Sequence, residues 1–207
     1  MCGIAGYIGT SIPSPANLKQ TSETLKHRGP DGEGFYKHKF QHNNVAFIHR
    51  RLAIIDLDDR SNQPFSYQNT VLVFNGEIYN YIELRRNLEE LGHTFRTKGD
   101  SEVLIHALYQ WGQGALDRLE GMWAFAWYNE KDGTLLLSRD RFGEKPLYIW
   151  KKDEGFYFSS EVKGLASLAG EWPRVNEHHL LGSLVNGYKS LYKKKEKFFL
   201  EVKEISP

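Results

Sequence analysis

Apolar residues along this chain fall in short, closely spaced runs, at positions 4–8, 45–48, 52–55, 71–74, 122–128, 134–137, 147–150 and 156–159. The runs are of strand length, and Gly, Pro, Asn or Asp bounds most of them, which is the pattern of β-strands. Residues 129–133 (Asn-Glu-Lys-Asp-Gly) read as a hairpin loop, and 151–155 as a second turn between neighbouring strands. Both strands of the first hairpin are nearly continuous in apolar residues, so both are expected to be covered on two faces. Helical spacing enters twice between the strands. Asn80 with Glu83 opens one helix, Ile82, Leu84, Leu88 and Leu91 give it an apolar stripe, and Gly92 stops it. A second opens at Asp100-Ser101, carries Val103, Leu104, Ala107, Leu108 and Trp111, and ends at Gly112. Weaker helical patterns cover 14–26, with Leu18, Thr21 and Leu25 inward, and 160–169. Hairpins with a few helices, rather than alternating strands and helices, predict an α+β fold with two antiparallel sheets face to face and helices outside.

Composition narrows the classes without choosing a function. With 207 residues, 40% hydrophobic and 26% charged, the chain is ordinary for a globular protein and long enough to bury a core without disulfides. The net charge of +1 is no footprint for nucleic-acid binding. The one dense basic run, at 193–197, reads as a solvated turn. No apolar run approaches a membrane span of ~18 residues, and no positive residue precedes Lys19, so a secretory signal is not expected. The single cysteine, Cys2, closes no internal disulfide. A cytoplasmic protein is the expectation.

Cys2 is also the first candidate for chemistry. A lone Cys is ordinarily a small buried hydrophobe, but removal of the initiator Met would leave this one N-terminal. Its α-amine, with a reference pKa of about 7.7–8.0, could then take the thiol proton, as the N-terminal amine does for threonine nucleophiles. Gly3 and Gly6 would let a backbone or ligand come close. A Cys–His pair with His27 or His49 is the alternative. In Val-Leu-Val-Phe-Asn75-Gly76-Glu77 the Asn-Gly pair reads first as a turn. The Asn75 amide and the Gly76 N–H could also supply two donors to an oxyanion. Asp100 reads as a helix cap, or as a carboxylate for a ligand ammonium. Arg50-Arg51 precedes a strand that would bury Leu52 and Ile54; an Arg there is a solvated edge or a bidentate carboxylate clamp. The run 28–32 reads as a turn without visible chemistry. The eight His form no metal-ligand pattern, and His178-His179 would point apart on a strand.

Six motifs occur in order: Met1-Cys2-Gly3-Ile4-Ala5-Gly6, His27-Arg28-Gly29-Pro30-Asp31-Gly32, Arg51-Leu52-Ala53-Ile54-Ile55-Asp56, Phe74-Asn75-Gly76-Glu77-Ile78-Tyr79-Asn80, Gly99-Asp100-Ser101-Glu102, and the stretch 139–148 ending in Lys145-Pro146-Leu147-Tyr148. Together they resemble the N-terminal glutaminase domain of glutamine-hydrolysing asparagine synthetases, a branch of the class II glutamine amidotransferases. The resemblance implies an N-terminal-nucleophile fold, a four-layer αββα sandwich, over residues 1–207. It implies Cys2 as nucleophile, with Asn75 and Gly76 as the oxyanion hole. Arg51 is implied on the glutamine α-carboxylate, Glu77 and Asp100 on its α-ammonium, and backbone along Leu52, Ile54 and Ile55 as pocket lining. L-glutamine is the implied substrate. No cofactor or metal is expected in this chain. ATP and Mg are expected only in a synthetase domain, in the same polypeptide or a separate subunit, toward which residues from about 170 to 207 lead. No nucleic-acid or membrane partner is expected, and a homo-oligomer is compatible. The other readings are amidation of another carboxylate, such as a sugar acid, or non-catalytic glutamine binding.

Overall fold

The computed structural model describes residues 1–186 and 197–206, and among these it has ten strands and five α-helices. In chain order they are β1 (Gly3–Gly9), α1 (Pro15–Leu25), β2 (Gly32–Phe40), β3 (Asn43–Arg51), β4 (Phe65–Tyr67), β5 (Thr70–Ile78), α2 (Tyr81–Glu90), α3 (Asp100–Trp111), β6 (Gly121–Asn129), β7 (Leu135–Arg139), β8 (Tyr148–Lys152), β9 (Gly155–Ser159), α4 (Val162–Ala169), α5 (Glu177–Asn186) and β10 (Val202–Glu204). One sheet has the order β10-β8-β9-β1-β3-β2 and the other β4-β5-β6-β7. All pairings are antiparallel. The β1 strand, which begins one residue after Cys2, is flanked on both sides by β9 and β3.

The two-residue period of the strands deals their side chains into layers. Ile4 from β1, Val45 and Phe47 from β3, Val71 and Val73 from β5, and Ala124, Ala126 and Tyr128 from β6 meet between the sheets. The alternate residues face outward under helices. Ala5, Tyr7, Ala46 and Ile48 pack against Leu18 and Leu25 of α1 and Leu168 of α4. On the other side, Leu72, Phe74, Trp123 and Phe125 pack against Leu84 and Leu88 of α2 and Val103, Leu104 and Leu108 of α3. This is the αββα sandwich. It explains why β5 and β6 read as continuous apolar runs: each is buried on both faces. Each fully buried Leu or Phe contributes roughly 1.5–3 kcal/mol.

Several expectations need correcting. Residues 52–55 form a loop, not a strand, with Ile54 59% and Ile55 39% exposed. β7 is only half-buried, because it is the edge of its sheet. In α2, Leu84 and Leu88 are buried but Ile82 and Leu91 are exposed. Asn80 makes no side-chain cap bond; its amide bridges the Arg118 carbonyl (2.9 Å) and the Glu120 N–H (3.0 Å). His178 and His179 lie on helix α5, with His179 buried, rather than on a strand. The basic run 193–197 lies outside the described residues except for exposed Lys197. Among the described residues no helix is long and apolar enough to cross a membrane.

Candidate active site

A cleft of about 240 Å³ opens where the start of β1 meets the end of β5. Its walls include Cys2, Arg51, Leu52, Ile54, Ile55, Asn75, Gly76, Glu77 and Asp100. Every residue expected at the site therefore meets in one place, although the set spans most of the first hundred positions.

Cys2 is held from several directions. The Leu52 N–H donates to Sγ at 3.4 Å, and Sγ lies 3.7 Å from the Leu52 carbonyl. Burial pushes the thiol above its ordinary range, and the Leu52 N–H and the chain-terminal ammonium only partly counter this. The resting sulfur is thus a thiol that needs a base. Neither histidine of the alternative reading supplies one. His49 is wholly buried, donates from Nε2 to the Phe74 carbonyl (3.2 Å), and is pushed down to about 3 by burial. His27 contacts Glu161 and the Thr24 carbonyl and does not line the cleft.

The oxyanion candidates sit on the free edge of β5. β4 pairs with β5 only as far as Leu72. Beyond it, the Phe74 N–H donates to Gln63 Oε1 (2.6 Å) and the Ile78 N–H to Asp100 Oδ2 (3.0 Å). In a strand the N–H of every second residue points the same way. The Gly76 N–H, midway between these two, therefore points to the same edge and into the cleft. Asn75 is buried, and its Nδ2 has no hydrogen-bond partner. A buried amide without a partner costs about 1–3 kcal/mol, so this donor awaits an acceptor. The Asn-Gly pair lies inside β5 and is not a turn.

Gly76 is required by packing as well as by access. A Cβ there would lie 2.2 Å from the Met122 carbonyl and 2.7 Å from the Phe74 ring. Gly76→Ala should therefore push β5 from β6 and destabilise the fold by about 2 kcal/mol or more, a drop in Tm of roughly 5 °C. A thermal melt within 1–2 °C (about 0.5 kcal/mol) of the parent would show the strand gap to be softer than this. Gly6 likewise makes room for the Phe158 and Phe47 rings rather than for a ligand.

The charged residues divide their work. Asp100 is the first residue of α3, after an N-cap at Gly99 that has no side-chain bond. Its carboxylate reaches across to β5 instead of only capping its helix. Burial pushes it up to about 6, against the N–H groups of Ile78, Asp100 and Ser101. Glu77 lies beside it in the cleft wall. Arg51 Nη1 donates to the Asp58 carbonyl (3.0 Å) and Asn62 Oδ1 (2.8 Å), and Nη2 to the Asp56 carbonyl. It thus shapes the 52–62 loop and also lines the cleft. Asp56 completes that loop, accepting from Asp58 N, Ser61 Oγ and Lys98 N.

Other residues at the site were not singled out from the sequence. Gln63 links the Phe74 N–H to Ser101 Oγ (3.2 Å). Arg28, inside a run that read as a plain turn, donates from Nε to the Cys2 carbonyl at 2.9 Å. Buried Asp140 accepts from the N–H groups of Trp123, Phe142, Glu144 and Lys145 and so folds the loop that brings Lys145 to the cleft. Only the motif carrying Asp140 hinted at this; nothing in its local pattern does.

Residues 1–207 match the family model described as a glutamine amidotransferase domain. The chain is 41% identical over 172 residues to asparagine synthetase [glutamine-hydrolyzing] 1 of Bacillus subtilis, covering 80% of this chain and 26% of that protein. It is 36% identical over 197 residues to asparagine synthetase [glutamine-hydrolyzing] 1 of Arabidopsis thaliana, covering 93% and 33%. The chain thus spans about a quarter to a third of the length of these curated relatives. Its fold is similar to that of the glutamine phosphoribosylpyrophosphate amidotransferase of B. subtilis, with a TM-score of 0.65 at 23% identity, covering 81% of this chain and 44% of that one.

Proposed function

Because this chain belongs to the glutamine amidotransferase domain family, we propose that its cleft hydrolyses L-glutamine to glutamate and ammonia through a thioester on Cys2. The observation that carries this reading is the unpartnered, buried Asn75 Nδ2 beside the Gly76 N–H, in the same cleft as the only cysteine. Arg51 takes the substrate α-carboxylate. Glu77 and Asp100 take its α-ammonium, and the 52–55 loop covers its chain. The exposure of Ile54 and Ile55 suits residues that pack on a ligand.

Once Met1 is removed, the Cys2 amine accepts the thiol proton and the sulfur attacks the carboxamide carbon. Charge that develops on the amide oxygen falls to Asn75 Nδ2 and the Gly76 N–H. Collapse breaks the C–N bond, and the protonated amine returns its proton to the departing ammonia. Water, deprotonated by the same amine, then attacks the thioester; glutamate leaves and the thiol is restored. An α-amine suits both steps, since the reference pKa of such a group, about 7.7–8.0, is close to neutrality. N-terminally processed protein should form glutamate and ammonia in equal amounts from glutamine without ATP. No ammonia above a Cys2→Ala control would overturn the reading.

The names of the relatives support aspartate as the ammonia acceptor. ATP- and Mg-dependent activation then belongs to a synthetase partner outside residues 1–207, in the same polypeptide or another subunit, and the cytoplasm is the proposed compartment.

Asp100 gives this reading a pH signature. A carboxylate near 6 binds an ammonium only when ionised, so affinity is full above that pH and lost below it. In a Cys2→Ala background, the Kd for glutamine should be flat from pH 7 to 8. Below about 6 it should rise roughly tenfold per unit. Asp100→Asn, which still accepts the Ile78 N–H, should raise Kd at pH 7.5 by about 30-fold and flatten the acid rise. An unchanged Kd would leave Asp100 a purely structural residue.

A further inference from the structure

The segment joining β9 to α4 brackets the start of β1. Ser160 holds Ile4 by both backbone groups, accepting its N–H on Oγ at 3.0 Å and donating its own N–H to the Ile4 carbonyl at 2.9 Å. One residue on, Glu161 Oε1 accepts from Arg28 Nη1 at 2.8 Å, and Arg28 Nε donates to the Cys2 carbonyl at 2.9 Å. Arg28 is buried. A buried guanidinium keeps its place only if it is paired, and among the described residues Glu161 is its ionic partner. The same carboxylate is steadied by His27 Nε2 at 3.0 Å and Lys163 Nζ at 3.0 Å. Burial alone would raise the Glu161 carboxyl, but Arg28, Lys163 and His27 outweigh it and hold it down at about 2, so it remains an anion throughout the working range.

We infer that Glu161 is a positioning residue for the nucleophile: it fixes Arg28, and Arg28 fixes the carbonyl of Cys2, so that sulfur and amine keep one geometry toward the cleft. The inference rests on Cys2 being the nucleophile. Glu161 does not line the cleft, and the groups proposed to bind glutamine lie at the end of β3, in the 52–55 loop, on β5 and on α3. Loss of Glu161 should therefore act on the chemical step and not on substrate affinity. A misplacement of about 1 Å in a reacting group can cost 10²-fold in rate.

The test compares N-terminally processed Glu161→Gln with the parent in steady-state glutaminase assays. The expected result is a kcat lower by about 10- to 100-fold, with KM for glutamine within about twofold. Lys163→Ala, which removes a partner of Glu161 but none of Arg28, should keep kcat within about twofold. A Glu161→Gln protein with parental kcat, or one whose loss lies in KM alone, would overturn the inference. So would Lys163→Ala matching it in effect. If Glu161→Gln fails to fold, Glu161→Asp carries the same comparison, since it keeps the charge but withdraws it from Arg28 by one methylene. The same kcat loss is expected, and parental kcat would again overturn the inference. An inactive parent would instead count against the proposed reaction itself, so the two failures are distinguishable.

Discussion

Cys2→Ala protein should release no ammonia from glutamine above background, yet should still bind glutamine. Removing an activated nucleophile typically lowers kcat by about 10⁶. The groups proposed to hold the amino acid, Arg51, Glu77 and Asp100, are all outside the substituted side chain, so Kd should stay within a few-fold of the parental value. The fold should be unaffected, because the hydrogen bonds between the sulfur and the Leu52 backbone are long, at 3.4 and 3.7 Å. Equilibrium binding and an ammonia assay on the same preparation check both halves. Parental turnover in this variant would remove Cys2 from the mechanism.

Asn75→Ala is the second large effect, expected at about 10²–10³ in kcat, or roughly 2.7–4 kcal/mol of barrier, the usual value of one oxyanion donor. KM should move little, because the contact strengthens as the carboxamide oxygen gains charge. Stability should hold or rise slightly, since Asn75 Nδ2 is buried without a partner in the free protein and its removal relieves that cost. Higher stability together with a lower kcat is a combination that a structural asparagine would not give. A thermal melt and steady-state kinetics read it directly; a lower Tm with unchanged kcat would make Asn75 a structural residue.

Much of this was legible in the sequence, for definite reasons. β5 and β6 are buried on both faces, so their apolar runs are unbroken, and the loop between β6 and β7 has turn chemistry. β2 was missed because its Gly-Glu-Gly-Phe-Tyr-Lys-His-Lys-Phe run lies on a sheet edge and buries no residue fully. β4 and β10 have three residues each, too few to show a period. Residues 52–55 misled in the opposite way: their side chains are apolar because they line a cleft, and apolar runs that face a ligand look like strands. The site residues were legible because short motifs name them. Arg28, Gln63, Glu161 and Asp140 act through contacts closed only in three dimensions; Arg28 and Glu161 are 133 positions apart. Asp100 shows how local pattern stops short: its place at a helix start suggested a cap, whereas the bond to Ile78 ties α3 to the strand that carries Asn75 and Gly76.

The proposed reaction cleaves glutamine through a covalent bond to Cys2 in this cleft. Acid quenching during turnover traps that species, and peptide mass spectrometry locates it. The predicted result is an N-terminal peptide that begins at Cys2, has lost Met1, and is heavier by one glutamyl group on sulfur, discharged by hydroxylamine and absent from Cys2→Ala. Ammonia release at the parental rate with no such adduct, or with an adduct on any other residue, would contradict it.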